Sequence, residues 1–228
     1  MKYLIVNADD LGYSSGINRA IVECHRRGVV TSASLMVTGH AVPEAVALSR
    51  ENPKLSVGLH FDVWGEDERT FDIEDSAAVR AEFVRQLDSF ERLLGGLPTH
   101  VDSHRHVHRE PEVLPLVEEL VEPLGVPLRG DGRVTFVGGF YGQWEWQVTN
   151  LEYVGVPFLE RMLRDEVGPG WTELSCHPGY VDGKRSVYAR EGQEEVRTLT
   201  DPRIRATVGE LRIRLASYAD YARRSQAA

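Results

Sequence analysis

The sequence predicts an α/β fold with a parallel sheet, most simply a (β/α) barrel of the TIM type in a distorted form. Three observations carry that expectation. Short runs with strand character alternate with helical runs of roughly 10 to 18 residues along the whole chain. The length, 228 residues, suits a single domain over 1–228 and is ample to bury a core without disulfide staples. Ionisable residues recur where the strands end, which is where such barrels carry active sites. A doubly wound open sheet is the alternative.

The first strand is expected over 2–8 and runs into the polar group Asn7-Ala8-Asp9-Asp10. Helical spacing through Ile17, Ala20, Ile21 and Cys24 follows over 16–28, strand character returns at 29–35, and 41–50 forms a second helix. Residues 55–59 make a strand that stops at His60. A long amphipathic helix over 77–94 carries Val79, Phe83, Leu87, Phe90 and Leu94 on one side and is closed by Gly95-Gly96 and Pro98. Strands are expected at 99–102, 126–129 and 171–176, with helices at 110–121 and 151–167. Beyond a polar loop at 182–190 come one more helix and a short strand near 211–215. Two stretches, 62–76 and 130–149, read as long loops, which in a compact domain serve as lids or are insertions.

Composition narrows the partners. With 26 basic against 35 acidic side chains the net charge is −9, which argues against a nucleic-acid surface and leaves a small neutral or cationic molecule, or a metal. Cys24 and Cys176 form no CxxC pattern and no framework, so a reducing cytoplasm is the expected location. The apolar run from Tyr3 to Val6 is far shorter than a signal-peptide core or a membrane span, so neither export nor a membrane is expected.

The chemistry gathers at strand ends. Asp9-Asp10 follows the first strand, His60 the third, His104 the strand from Thr99, and His177 the strand from Trp171, so a barrel would bring all of them to one face. Adjacent carboxylates repel unless a cation or hydrogen bonds compensate, and neighbouring side chains point apart, leaving one free to ligate a metal. The stretch His100-Val101-Asp102-Ser103-His104-Arg105-His106-Val107-His108 holds four of the eight histidines; if extended, it puts all four and Asp102 on one face. Such a cluster favours metal binding or catalysis, with Asp102 able to orient a ring, but it does not say which His binds. Arg129, ending its strand, could fix a carboxylate or carbonyl group of a substrate or form an ordinary ion pair. The aromatic loop from Phe136 to Trp146, which includes Tyr141, could stack on a sugar or pack internally. His25 and His40 have surface settings, Cys176 reads as a small buried hydrophobe, and Gly12 to Gly16 lacks the rest of a phosphate loop.

With these residues assembled, the sequence resembles the YdjC family of carbohydrate deacetylases, which includes chitooligosaccharide deacetylases and hopanoid-associated relatives. The resemblance rests on Asn7-Ala8-Asp9-Asp10-Leu11-Gly12, Val30-Thr31-Ser32-Ala33-Ser34, Gly58-Leu59-His60, Thr99 to His108, Phe140-Tyr141-Gly142 and Cys176-His177-Pro178-Gly179, in family order over roughly 3–215. It implies a β/α barrel related to the polysaccharide deacetylases. It also implies a divalent metal held by Asp10, His60 and His104; a mixed Asp/His site fits Zn²⁺ or another transition metal on softness grounds, and Mg²⁺ has family support. Asp9 then matches the general base and His177 the general acid, the substrate is an N-acetylated sugar, and the assembly is a homodimer. Arg129 and Tyr141 are the substrate-binding candidates. Leu11 stands where the family has Phe, and Asp62-Val63-Trp64 departs from the usual segment after His60, which bears on substrate choice.

The expected reaction is hydrolysis of an acetamide on a sugar, since one carboxylate and two imidazoles leave coordination positions for water and the acetyl oxygen. Two rivals make different predictions. A glycoside hydrolase using paired carboxylates would work without metal. A non-catalytic sugar or metal sensor would bind without turnover.

Overall fold

The computed structural model describes residues 1–65, 71–145, 148–182 and 188–225. Among them seven strands form one sheet: β1 (Lys2–Leu11), β2 (Ser32–Leu35), β3 (Ser56–Phe61), β4 (Val101–Ser103), β5 (Thr135–Val137), β6 (Gly170–Cys176) and β7 (Ile213–Leu215). Every pairing is parallel, in the order β4-β3-β2-β1-β6-β5, with β7 beside the start of β1. Leu128 adds an isolated parallel bridge to Val101, so the chain from Leu128 to Thr135 crosses from the β4 edge to the β5 edge. The sheet is therefore curled, and the fold is the expected (β/α) barrel in a distorted form.

The helices between the strands are α1 (Ser15–Arg27), α2 (Val42–Glu51), α3 (Ser76–Leu94), α4 (Leu114–Val121), α5 (Val156–Asp165), α6 (Ala189–Thr200) and α7 (Pro202–Glu210), and α8 (Tyr218–Ser225) follows β7. Local chemistry sets several boundaries. Ser14 accepts from the Ile17 N–H to start α1, and Asp75 accepts from the Ala77 and Ala78 N–H groups to start α3. The chain leaves α3 through Gly95 at φ 81°, a left-handed position that glycine adopts at no steric cost. The single helix expected over 151–167 is instead a 3-10 turn, Leu151–Val154, followed after Gly155 by α5, whose Pro157 is accommodated only in a first turn. The strand expected at 126–129 reduces to the Leu128 bridge, while β5 forms inside the expected loop. A second helix, α7, and the terminal α8 were not resolved by periodicity.

Period-two alternation divides the sheet into two unlike faces. Leu4, Val6, Ala8, Ala33, Leu35, Leu59, Phe61, Val101, Leu174 and Cys176 face the helices and join the main core. The alternate positions, Asn7, Asp9, Ser32, Ser34, Ser56, His60, Asp102, Glu173 and Ser175, are buried and polar, and they line the inside of the curled sheet. Register keeps them in rows: Asn7 pairs with Ser32 and Ser175, and His60 pairs with Asp102. A small apolar group, Ile5, Val134 and Tyr218, closes the base of that interior.

Gly58 sits in one of these rows, and a Cβ there would lie 2.3 Å from His100 Cε1. Gly58→Ala is expected to destabilise the protein by about 1–3 kcal/mol, the usual cost of overpacking, measured by urea unfolding. An unchanged midpoint would show that the His100 ring moves freely.

Candidate active site

Asp9 and Asp10 are neighbours in β1, yet both reach the barrel mouth. Asp10 has φ 66°, and the β1–β2 register shifts between Ala8 and Leu11, so the backbone turns the second carboxylate inward. Asp10 Oδ1 lies 3.1 Å from His60 Nε2 and 3.1 Å from His104 Nδ1. His60 is the last but one residue of β3, and its Nδ1 is 2.7 Å from Oδ1 of Asp102, its partner in β4. That carboxylate accepts a hydrogen bond from Nδ1–H, which directs Nε2 to the mouth, the carboxylate–imidazole arrangement that orients metal ligands. His104 opens the 3-10 turn His104–Arg109 directly after β4. The three groups Asp10, His60 and His104 stand close enough for one ion.

The donor set fits a divalent cation. His60 Nε2 is buried and, despite its 3.1 Å distance to Asp10, meets no hydrogen-bond geometry. Burial opposes a proton on His60, but Asp102 and then Asp10 override it and raise the ring's pKa well above its usual value. The pocket thus favours positive charge at that nitrogen, which a metal supplies as well as a proton does. A second grouping, Asp9, His60 and Asp102, already has its cation: both of its carboxylates are salt-bridged to Arg129.

Arg129 is the interior counter-charge. Its Nη1 and Nη2 each donate 2.7 Å bonds to the two oxygens of Asp9, and Nε and Nη2 donate to Glu173 Oε1 at 2.9 and 2.6 Å. Nη2 also lies 2.7 Å from Asp102 Oδ2. Burial disfavours the charged form of Asp9, but the guanidinium outweighs it and holds the carboxyl below its usual range. Asn7 Nδ2 donates to the same Asp9 Oδ1 at 2.8 Å. Arg129 is buried, at 2% exposure, and forms the ion pairs that were the alternative to a substrate contact.

His177 follows β6 with its side chain 26% exposed and its Nε2 3.6 Å from Asp9 Oδ2. Tyr141 stacks on Tyr188 at 4.9 Å, and both rings stand edge-on to His177, at 5.5 and 5.7 Å. Beneath them the buried Glu195 accepts from the His177 N–H at 2.5 Å and from the Tyr188 hydroxyl at 2.7 Å. Burial raises the Glu195 carboxyl to about 8.

The other histidines are not brought to the mouth. The stretch expected to stay extended breaks at Arg105 and His106, both at positive φ. His108 Nε2 donates to the Arg129 carbonyl, so its Nδ1 accepts from Ser103. Burial first of all lowers His100 to about 4, His106 to about 3 and His108 to about 4. All three are therefore neutral in the interior. Asp62 Oδ1 accepts from the Trp64 and Gly65 N–H groups, so the departure from the family pattern begins as a turn. Cys24 and Cys176 are both buried free thiols. Trp146, and 66–70 and 183–187 within the expected loops, lie outside the described residues. Residue-type reasoning missed Glu173, Glu195 and Tyr188; a charged residue amid the apolar positions of β6 was the available signal for Glu173.

These features define a (β/α)-barrel enzyme with its polar cluster at the carboxyl ends of the strands. The chain belongs to the YdjC-like protein family, whose profile matches residues 3–210. It is 35% identical to a carbohydrate deacetylase of Geobacillus stearothermophilus, over 96% of this chain and 98% of that protein. It is 34% identical to a chitooligosaccharide deacetylase of Serratia marcescens, over 96% and 99%. Among solved structures, a protein of Enterococcus faecalis V583 described in terms of cellobiose-phosphate cleavage superposes with TM-score 0.79 at 25% identity, over 96% of this chain and 98% of that one. A family 4 carbohydrate esterase of Streptomyces lividans, with acetate bound, shares the fold at TM-score 0.59 and 13% identity, over 95% and 91%.

Two outcomes follow from the buried charges. Arg129→Met leaves three carboxylates without their cation and is expected to cost about 3–5 kcal/mol in urea unfolding; a loss below about 1 kcal/mol would contradict the network. Glu195 binds its proton more tightly folded than unfolded, with a carboxyl raised from 4.5 to about 8. Between those values the folded state holds more protons, so Glu195 makes stability fall as pH rises across that window and then level off. Glu195→Gln is expected to remove that slope in denaturation series at pH 5 to 9, and an unaltered slope would assign it elsewhere.

Proposed function

We propose that this chain, acting as one domain over 1–228, is a metal-dependent carbohydrate deacetylase that frees acetate from N-acetylated sugars or oligosaccharides such as acetylated chitobiose. The observation that carries this reading is the meeting of Asp10, His60 and His104 with Asp9 and His177 at one barrel mouth. The deacetylase relatives support it.

Asp10, His60 and His104 would hold the divalent ion, Mg²⁺ or Zn²⁺ on the mixed carboxylate–imidazole donor set. When bound, that ion supplies a Lewis acid that polarises the acetyl carbonyl and acidifies water. Asp9, clamped by Arg129 and Asn7, takes the proton from the attacking water. An amine leaves poorly as an anion, so the breaking C–N bond needs an acid, and His177 Nε2 gives its proton to that nitrogen. The 3.6 Å gap between His177 Nε2 and Asp9 Oδ2 lets the proton gathered by the base recharge the acid. Tyr141, backed by Tyr188, forms a wall on which the sugar can pack beside His177. Arg129 acts on the substrate only through Asp9.

The cytoplasm is the proposed location. The buried free thiols support it, and no helix among the described residues is long and apolar enough to cross a membrane. The proposed assembly is a homodimer, supported by the family resemblance and checked by sedimentation.

The decisive assay measures acetate release from acetylated chitobiose and other N-acetyl sugars by the metal-loaded protein. Chelation should abolish it. Substitution of His104 by Ala should remove metal and activity together, whereas Asp9→Asn should keep the metal and lose about 10²–10⁴-fold in kcat. Chelator-resistant turnover, or no acetate from any such sugar, would overturn the reading.

A further inference from the structure

The interior network does not end at Arg129. Glu173 receives Arg129 on Oε1 and, on its other oxygen, accepts a 2.6 Å bond from the hydroxyl of Tyr218. Tyr218 is the first residue of α8, beyond the last residue of the family match, and it is 1% exposed. Its ring stacks on that of His100 with centroids 3.8 Å apart, and the His100 ring occupies the space that the missing Cβ of Gly58 leaves open. The Tyr218 and Ala219 N–H groups donate to Ser32 Oγ and Ser56 Oγ, both at 3.1 Å. Inward-facing serines of β2 and β3 thus dock the start of α8 in the base of the barrel.

A phenylalanine would make the same ring stack on His100. The hydroxyl adds one thing: it fixes the oxygen of Glu173 that Arg129 does not hold. Without it a buried carboxylate oxygen faces a ring edge, and Glu173 gains by rotating or taking a proton. Either change releases Arg129 on one side, and Arg129 is what orients both oxygens of Asp9.

We propose that Tyr218 is a positioning residue for the base, acting through Glu173 and Arg129 on Asp9, so that the terminal helix is part of the catalytic apparatus. This rests on the deacetylase reading, in which Asp9 takes the proton. The chain of contacts is continuous and buried from the base of the barrel to its mouth.

The test compares the full-length metal-loaded protein with Tyr218→Phe, measuring kcat and KM on acetylated chitobiose, bound metal, and the ¹⁵N resonance and solvent exchange of Arg129 Nε–H. The expected result is a kcat lowered about tenfold or more with KM within about twofold and metal content unchanged, because orientation of the base is lost but the binding surface is not. Arg129 Nε–H should shift and exchange faster. A purely structural role would lower stability while leaving kcat per folded molecule at the wild-type value, and that result overturns the proposal. If Tyr218→Phe does not fold, Glu173→Gln carries the same expectations. If the wild-type protein releases no acetate, the deacetylase reading fails by itself. The Arg129 resonance then decides the positioning, and an unmoved signal in Tyr218→Phe refutes it.

Discussion

One guanidinium makes the interior of this barrel possible. Asp9, Asp102 and Glu173 are each at most 2% exposed and each is bonded to Arg129. Desolvating any of them alone would drive it to take up a proton, and a protonated Asp9 could not serve as a base. The polar lining follows from this constraint. Because Arg129 fills the cavity, the strands can present Asn7, Ser34, His60 and Asp102 inward without unpaired charge, and the apolar faces are left to the helices. A buried network of this kind is poor evidence for stability, since an apolar core often does as well. Its return is positional: each carboxylate is held by at least two bonds, so the groups at the mouth are set before substrate arrives.

The strand-end residues were legible because parallel topology converts distant sequence positions into one face. Asp10, His60, His104, Asp9 and His177 meet for that reason alone, and no contact information was needed to group them. What could not be read was the direction of turns. The stretch from His100 to His108 alternates perfectly on paper, but left-handed Arg105 and His106 fold it back, so His108 holds the Arg129 carbonyl and does not reach the mouth. No residue type there forces positive φ; only the tertiary setting does. An ion pair is one of the two roles the sequence allows Arg129, yet its three partners lie in β1, β4 and β6, and long-range pairing of buried charges leaves no periodic trace. Tyr218 lay beyond the motifs, where periodicity gave only a short strand near 211–215.

The helix split at Gly155 and the strand hidden in the loop at 130–149 fail for a related reason. Val156-Pro157 continues an apolar pattern that periodicity reads as one helix, although proline restricts the residue before it and fits only a first turn. Thr135–Val137 is three residues long, below the length at which alternation can be recognised, and it is a strand because β6 offers it an edge. Tertiary pairing decides both, and only the curled sheet shows why the chain must cross from Leu128 to Thr135.

The adjacent acids show how a single backbone departure divides labour. In a regular strand Asp9 and Asp10 would face opposite sides, one toward the interior and one toward the helices. A left-handed φ of 66° at Asp10 turns the second carboxylate into the mouth, while the first keeps the inward direction of Asn7. Strain at a non-glycine residue in that region costs of order 1–3 kcal/mol, less for Asp than for bulky side chains. Two imidazoles offset that cost by converging on Asp10 Oδ1, and Arg129 separates Asp9 from the same site by engaging both of its oxygens. Two identical side chains, one residue apart, therefore meet different partners. In the proposed reaction one carboxylate would go to a metal and the other to a proton, and neither role could pass to the other without undoing the backbone turn that made them distinct.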